Sequence, residues 1–297
     1  MTVNASRVRV AAVQYPLRPV AGFADFAQQL EHAVFVAADY GCDFVLFPEL
    51  FTLQLLSAEV EKLPGTEAVE RLTHHTPALR ELFVELAQRH RINLVGGTHI
   101  TRLADGQVRN VCHVALRDGS LHERHKLHAT PSEARYWGVS GGGVADALPI
   151  DTDRGRIGIM ICYDSEFPEL ARRLTDAGAG LFFVPYCTDD RHGYLRVRYC
   201  CQARAVENQT MLVLAGTVGN LPGVGNFDIQ YAQNAVLTPC DLPFARDGIA
   251  AEATPNVDQI LIADLDLSAL ATAREHGTVR NLADRRTDLY RVDWRAD

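Results

Sequence analysis

Short apolar runs of strand length alternate with longer segments of helical period along this chain, and that alternation does most to narrow its fold. Residues 7–13 read as a strand, and residues 23–39 as an amphipathic helix with Phe26, Leu30, Val34 and Ala37 spaced three or four apart. Residues 43–47 form a second strand, stopped by Pro48. A helix follows within residues 66–89, with Thr66 as its cap and Glu67 near its positive end. Strands at 92–96 and 111–116 come next, the latter before an Asp118-Gly119 turn. The second half repeats the style. Strands at 156–162, 181–184 and 211–215 enclose helices at 167–177 and 194–207, and further strands are expected at 231–237 and 259–265. Strands interleaved with helices imply an α/β fold whose sheet faces are covered by helices. No linker, low-complexity segment or internal repeat interrupts the pattern, so residues 1–297 are expected to form one domain.

Composition agrees. With 297 residues of which 47% are hydrophobic, the chain can bury a large core and is not of the disordered kind. Asp and Glu outnumber Lys and Arg by 37 to 29, giving a formal net charge of -8. An acidic surface argues against nucleic acid and anionic membranes as partners. No apolar run approaches the roughly 18 residues of a membrane span, and residues 1–16 lack the pattern of a signal peptide, so a cytoplasmic protein is expected. The seven cysteines include no C-x-x-C pair and read as reduced thiols. The glycine-rich loops GVSGGG (138–143) and GTVGNLPGVGN (216–226) lack both dinucleotide and P-loop patterns, so no nucleotide cofactor is expected.

Three places carry candidate chemistry. Cys162 ends an apolar run in GIMICYDSEFPEL, just before a helix begins. A thiol at the C-terminal edge of a strand sits where α/β proteins build sites, and a nearby helix N-terminus favours thiolate. The same place also suits a buried structural cysteine. Glu49, in DFVLFPELF, puts a carboxylate at a corresponding strand edge. Apolar surroundings would raise its pKa toward that of a useful base, although an acid at a helix start reads the same way. Lys126 and Glu133, in LHERHKLHATPSEARYW, are either a solvated ion pair or a cation held ready for an anionic oxygen. His122, His125 and His128 fall three apart on a strand, pointing to alternate faces, which makes a poor metal cluster.

Together these segments resemble the nitrilase, or carbon–nitrogen hydrolase, superfamily. The likeness runs from RVAAVQ through FPEL (47–50), HKLH…E (125–133), ICYDSEFPE (161–169) and CQARAVENQ (201–209) to IADLDL (262–267). It implies a four-layer α-β-β-α sandwich that self-associates as a homodimer or higher oligomer. It implies Cys162 as nucleophile, Glu49 as general base, Lys126 as oxyanion stabiliser and Glu133 as a second glutamate that positions lysine and substrate. The backbone N–H of Tyr163 would help hold the oxyanion, and no metal or organic cofactor is implied. RHGYLRVRYCCQARAVENQ and YAQNAVLTPCDLPFARDGIA resemble the branch that often carries a fused acetyltransferase domain, which the 297 residues are not expected to include.

The expected reaction is hydrolysis of a small linear carboxamide to acid and ammonia through a thioester. Nitrile hydrolysis, N-carbamoyl hydrolysis and acyl transfer are alternatives at the same site, and a non-catalytic scaffold is a more distant one. Cys162-Tyr163-Asp164 resembles amidase sequences more than the Cys-Trp-Glu of nitrilases. Tyr186, Asp189 and Asp190 follow a strand and are expected to border the pocket, with Asp189 or Asp190 either selecting a cationic or hydrogen-donating substrate or lying in solvent. Tyr136 and Trp137 are expected either to wall the pocket or to pack in the core. Arg204 and Glu207 should pair on one helix face. The polar tail, 277–297, is expected to cross to a dimer partner or to be disordered.

Overall fold

A computed structural model describes residues 6–295. The chain runs β1 (Arg7–Leu17), α1 (Phe23–Asp39), β2 (Phe44–Leu46), α2 (Gly65–His90), β3 (Asn93–Arg102), β4 (Val108–Ala115), β5 (Leu121–His125) and α3 (Pro131–Tyr136). It continues through β6 (Ile150–Thr152), β7 (Gly155–Ile159), α4 (Pro168–Asp176), β8 (Leu181–Tyr186), α5 (Arg191–Asn208) and β9 (Met211–Asn220). It finishes with β10 (Ile229–Gln230), β11 (Ala235–Leu237), β12 (Ile249–Glu252), β13 (Gln259–Asp266) and α6 (Ser268–His276).

The strands run in the order β5-β4-β3-β2-β1-β9-β8-β7-β6. β1 is the joint. Val10–Ala12 pair with β2, and Tyr15–Leu17 pair with β9, so one long strand serves two sheets that fold back on each other. Alternation along β1 then decides the layers. Val8, Val10 and Ala12 point into a core shared with β7, β8 and β9, where Phe44 and Phe183 meet with ring centroids 5.1 Å apart. Ala11 and Val13 point the other way, onto Phe26, Leu30 and Val34 of α1 and Phe83 of α2. On the far side, the bare Cα of Gly158 in β7 makes room for the Phe182 ring of β8, with Leu174 of α4 beside it. The result is the four-layer α-β-β-α sandwich. Among the described residues no helix is long and apolar enough to cross a membrane.

Several local expectations need correction. Thr66 does not cap α2: the helix starts one residue earlier, with Pro64 in the cap position and no side-chain cap, while Glu67 does sit in the first turn. β7 stops at Ile159, so Cys162 lies on a separate 3-10 turn, Cys162–Glu166. Only Ala235–Leu237 of the expected 231–237 strand is extended. Upstream of it, Asn234 spends its side chain on the Gly216 N–H and the Ala12 carbonyl. Apart from these corrections, the described part of the tail, 277–295, has contacts with α4. Arg285 pairs with Asp176 at 2.8 Å, and the Arg173 guanidinium lies 4.7 Å over the Trp294 ring.

Candidate active site

Glu49 follows the abrupt end of β2, and β3 fixes its place. A bulge at Gly97, whose φ of 59° favours glycine, brings the Pro48 carbonyl against the bare Cα, where a Cβ would stand 2.0 Å from that oxygen. Thr98 then grips both neighbours of Glu49, donating its N–H to the Pro48 carbonyl and accepting the Leu50 N–H on its hydroxyl. Lys126 is the first residue after β5, and its N–H donates to the Asn110 carbonyl of β4. Glu133 lies on α3, whose start is set by a reciprocal capping box with Thr130.

Glu49, Lys126 and Glu133 are all at most 4% exposed. Lys126 Nζ donates to Glu49 Oε1 at 2.7 Å and to Glu133 Oε2 at 2.6 Å. The network also contains a residue that the sequence did not single out. Asn110, fully buried, donates from Nδ2 to Glu49 Oε1 at 2.9 Å and to Glu133 Oε1 at 2.8 Å. Its only sequence signal is a carboxamide next to the apolar run that begins at Val111.

The two carboxylates are treated unequally. Glu133 takes donors on both oxygens, including the Thr130 N–H. Burial pushes its pKa up, but the Lys126 ammonium and these hydrogen bonds prevail and hold it below the usual glutamate value. Glu49 receives Lys126 and Asn110 on one oxygen only. For it burial outweighs the Lys126 charge, and its pKa is pushed up to about 7. Burial also works against the charge on Lys126, yet two adjacent carboxylates keep its pKa well above the ordinary lysine value. Environments that separate two acids in this way give them different chemical roles.

Cys162 approaches from the second sheet. Its φ of 48° is a left-handed conformation that costs a non-glycine residue about 1 kcal/mol or more. Neighbours hold the turn. Ser165 Oγ donates to the Cys162 carbonyl at 2.7 Å, and Arg204, paired with Glu207 as expected, donates to the Ser165 carbonyl. Asp164 accepts the N–H groups of Ile161, Leu127 and His128, and His128 Nδ1 lies 2.8 Å from it. This one carboxylate therefore ties the cysteine turn to the Lys126 segment. The thiol points toward the Cys187 carbonyl, 3.6 Å away. Burial first, and then the nearby Glu49 charge, hold its pKa well above the ordinary cysteine value. The sequence-based expectation of a helix-favoured thiolate is therefore not met: Cys162 opens the 3-10 turn, the rest of that turn and Phe167 stand between it and α4, and desolvation wins.

Glu49, Lys126, Glu133 and Cys162 open onto one pocket of 570 Å³, with Tyr163, Trp137 and Asp189 also in its wall. The Trp137 indole N–H has no hydrogen-bond partner among the described residues. Two expected wall residues lie elsewhere. Tyr186 is fully buried in the core, its hydroxyl accepting the Gln233 N–H, because the strand continues through it. Tyr136 turns away, its hydroxyl directed at the Leu63 carbonyl. Cys187 and Thr188 of the same segment, 186–190, do line the wall. Asp190 also lines the pocket while capping α5, where one of its oxygens accepts the Gly193 N–H at 2.8 Å. The three histidines face different partners: Ser120 for His122, Asp146 for His125 and Asp164 for His128.

Comparison with known proteins identifies the family and the fold. The model of the carbon-nitrogen hydrolase family matches residues 9–275. Probable hydrolase YhcX of Bacillus subtilis is 47% identical over 292 residues, covering 98% of this chain and 56% of that protein. The chain thus spans little more than half the length of that relative. An omega-amidase of Xenopus tropicalis is 26% identical, covering 97% of this chain and 98% of its own. The crystal structure of a carbon-nitrogen hydrolase from Helicobacter pylori superposes with a TM-score of 0.78 at 20% identity, over 96% of this chain and 97% of that one.

Proposed function

The chain belongs to the carbon–nitrogen hydrolase family, and on that premise we propose that it is a cysteine-dependent amidase, cleaving a small linear carboxamide to a carboxylic acid and ammonia. The observation that carries this reading is the buried Glu49–Lys126–Glu133 set, with the Cys162 thiol beside it at one pocket.

Glu49, with one oxygen occupied by Lys126 and Asn110, takes the thiol proton on the other, and the thiolate attacks the amide carbon. Lys126, kept charged by its two carboxylates, and the backbone N–H of Tyr163 hold the oxyanion. Collapse expels ammonia with the proton that Glu49 returns. Glu49 then deprotonates a water that attacks the thioester, and the acid leaves. Glu133 stays ionised and keeps Lys126 in place. The sequence Cys162-Tyr163-Asp164 and the omega-amidase relative favour amides over nitriles.

An ammonia-release screen over amides, nitriles and N-carbamoyl compounds tests the reading directly. Ammonia should come from amides; release from nitriles alone would reassign the reaction. The pH dependence is a second test. Only ionised Glu49 can accept the thiol proton, and its pKa lies near 7. Activity should therefore climb as pH rises through about 7 and level off above it. A kcat/KM profile already flat from pH 5 would mean that another group is the base.

Asp189 supplies a selectivity element. It stands at the pocket with no salt-bridge partner among the described residues, whereas Arg196 there faces Glu166. Asp189→Asn is expected to lower kcat/KM for an amide bearing an ammonium group by about tenfold, with a neutral amide of equal length little changed. Parallel losses on both substrates would remove Asp189 from substrate recognition.

A further inference from the structure

The mechanism needs Glu49 to keep one oxygen on Lys126 and turn the other to the thiol, and a single lysine contact does not impose that. An ammonium donates equally well over a wide range of angles. A carboxylate held by Lys126 alone could rotate and accept the ammonium on either oxygen, or on both. What removes that freedom is the second donor on the same atom. Asn110 Nδ2 reaches Glu49 Oε1, and its other hydrogen reaches Glu133 Oε1.

We propose that Asn110 is a positioning residue, whose single amide nitrogen bridges the two carboxylates and fixes Glu49 with one oxygen free for the Cys162 thiol. The inference rests on Glu49 being the base. Two further observations support it. The Asn110 carbonyl accepts the Lys126 N–H, so the same residue sets the base through its side chain and the oxyanion cation through its backbone. The Asn110 side-chain oxygen is buried with no hydrogen-bond partner among the described residues. Leaving such an acceptor unsatisfied destabilises the fold, so stability alone gives no reason for a carboxamide here. Its two donors give a reason. Aspartate would add a third negative charge to the network, and leucine, although close in shape, offers no hydrogen.

The groups facing Glu49 are Lys126 at the end of β5, Glu133 on α3, Cys162 on the turn after β7 and Cys187 at the end of β8. Removing the Asn110 donor leaves these in place and withdraws one hydrogen bond from the ionised form of Glu49. The proton should then be held more tightly, and thiolate formation should need a higher pH.

The test is the pH dependence of Cys162 alkylation by iodoacetamide, followed by peptide mass, together with kcat and KM on an amide. Asn110→Ala and the smaller polar variant Asn110→Ser are compared with wild type, each checked by thermal melting. The expected result is a limb displaced upward by about half a pH unit or more in Asn110→Ala. The amide kcat should fall by about ten- to a hundredfold, the scale of a misplaced catalytic group, with KM changing much less. Asn110→Ser should fall between the two. An alkylation limb in both variants that superimposes on the wild-type limb overturns the proposal, whatever the loss of turnover. If wild type itself shows no limb near neutral pH, Glu49 is not the base and the inference falls with it.

Discussion

Replacing Cys162 with alanine should reduce turnover by about ten-thousandfold or more, since the proposed thioester forms on its sulfur. The fold should survive. The side chain is small, its hydrogen bond to the Cys187 carbonyl is long, and the turn is held by Ser165, Asp164 and Arg204. The loss of one buried sulfur costs about 1 kcal/mol, within reach of a thermal melt. Intact mass gives the matching positive result: mixing wild type with a slowly turned-over amide should leave an acyl group on Cys162, absent from the alanine variant. Ammonia release by Cys162→Ala near the wild-type rate would end the thioester mechanism.

Lys126→Met is the second large effect, and it acts on activity and stability together. Loss of the oxyanion contact should lower kcat by about a hundred- to a thousandfold. The change also leaves Glu49 and Glu133 buried without their shared cation, and breaking a buried pair in this way costs about 3–5 kcal/mol. The pH dependence gives the effect a signature. In wild type Glu133 has a lowered pKa, so its contribution is present above the normal glutamate value and lost as pH falls. Without Lys126 both carboxylates are raised by burial. Each then favours the fold while protonated, below its unfolded pKa of about 4.3, and loses that contribution as pH rises through its folded pKa. Lys126→Met should therefore be closest to wild type in acid and fall furthest behind at pH 8. Melting curves across that range decide it, and a deficit constant with pH would contradict the buried triad.

How far the sequence could be read follows from the same contacts. Glu49 and Cys162 were legible because each ends an apolar run, and chain-end position is a local property. The burial of Lys126 was not, because it depends on a carboxylate 77 residues away as well as one seven residues away. Asn110 was missed for the same reason: its partners lie 61 and 23 residues off, and a lone carboxamide in a strand reads as an edge residue. Tyr186 was misplaced because strand periodicity does not say where a buried strand stops. The helix-dipole argument for Cys162 failed on energetics, since removing a thiolate from water costs more than a partial helix charge returns.

The joint formed by β1 has a consequence for the chain before it is complete. Glu49, Lys126 and Glu133 ride on or follow the β2–β5 sheet, and the Cys162 thiol rides on the sheet built from β7 and β8. A half-folded chain, with either sheet formed alone, holds no matched pair of acid and nucleophile. Burial and the Glu49 charge that hold the Cys162 thiol protonated exist only where the two sheets meet. The complete Glu49–Lys126–Cys162 arrangement is therefore an all-or-nothing property of docked sheets, and it comes into being only with the last long-range contacts of the fold.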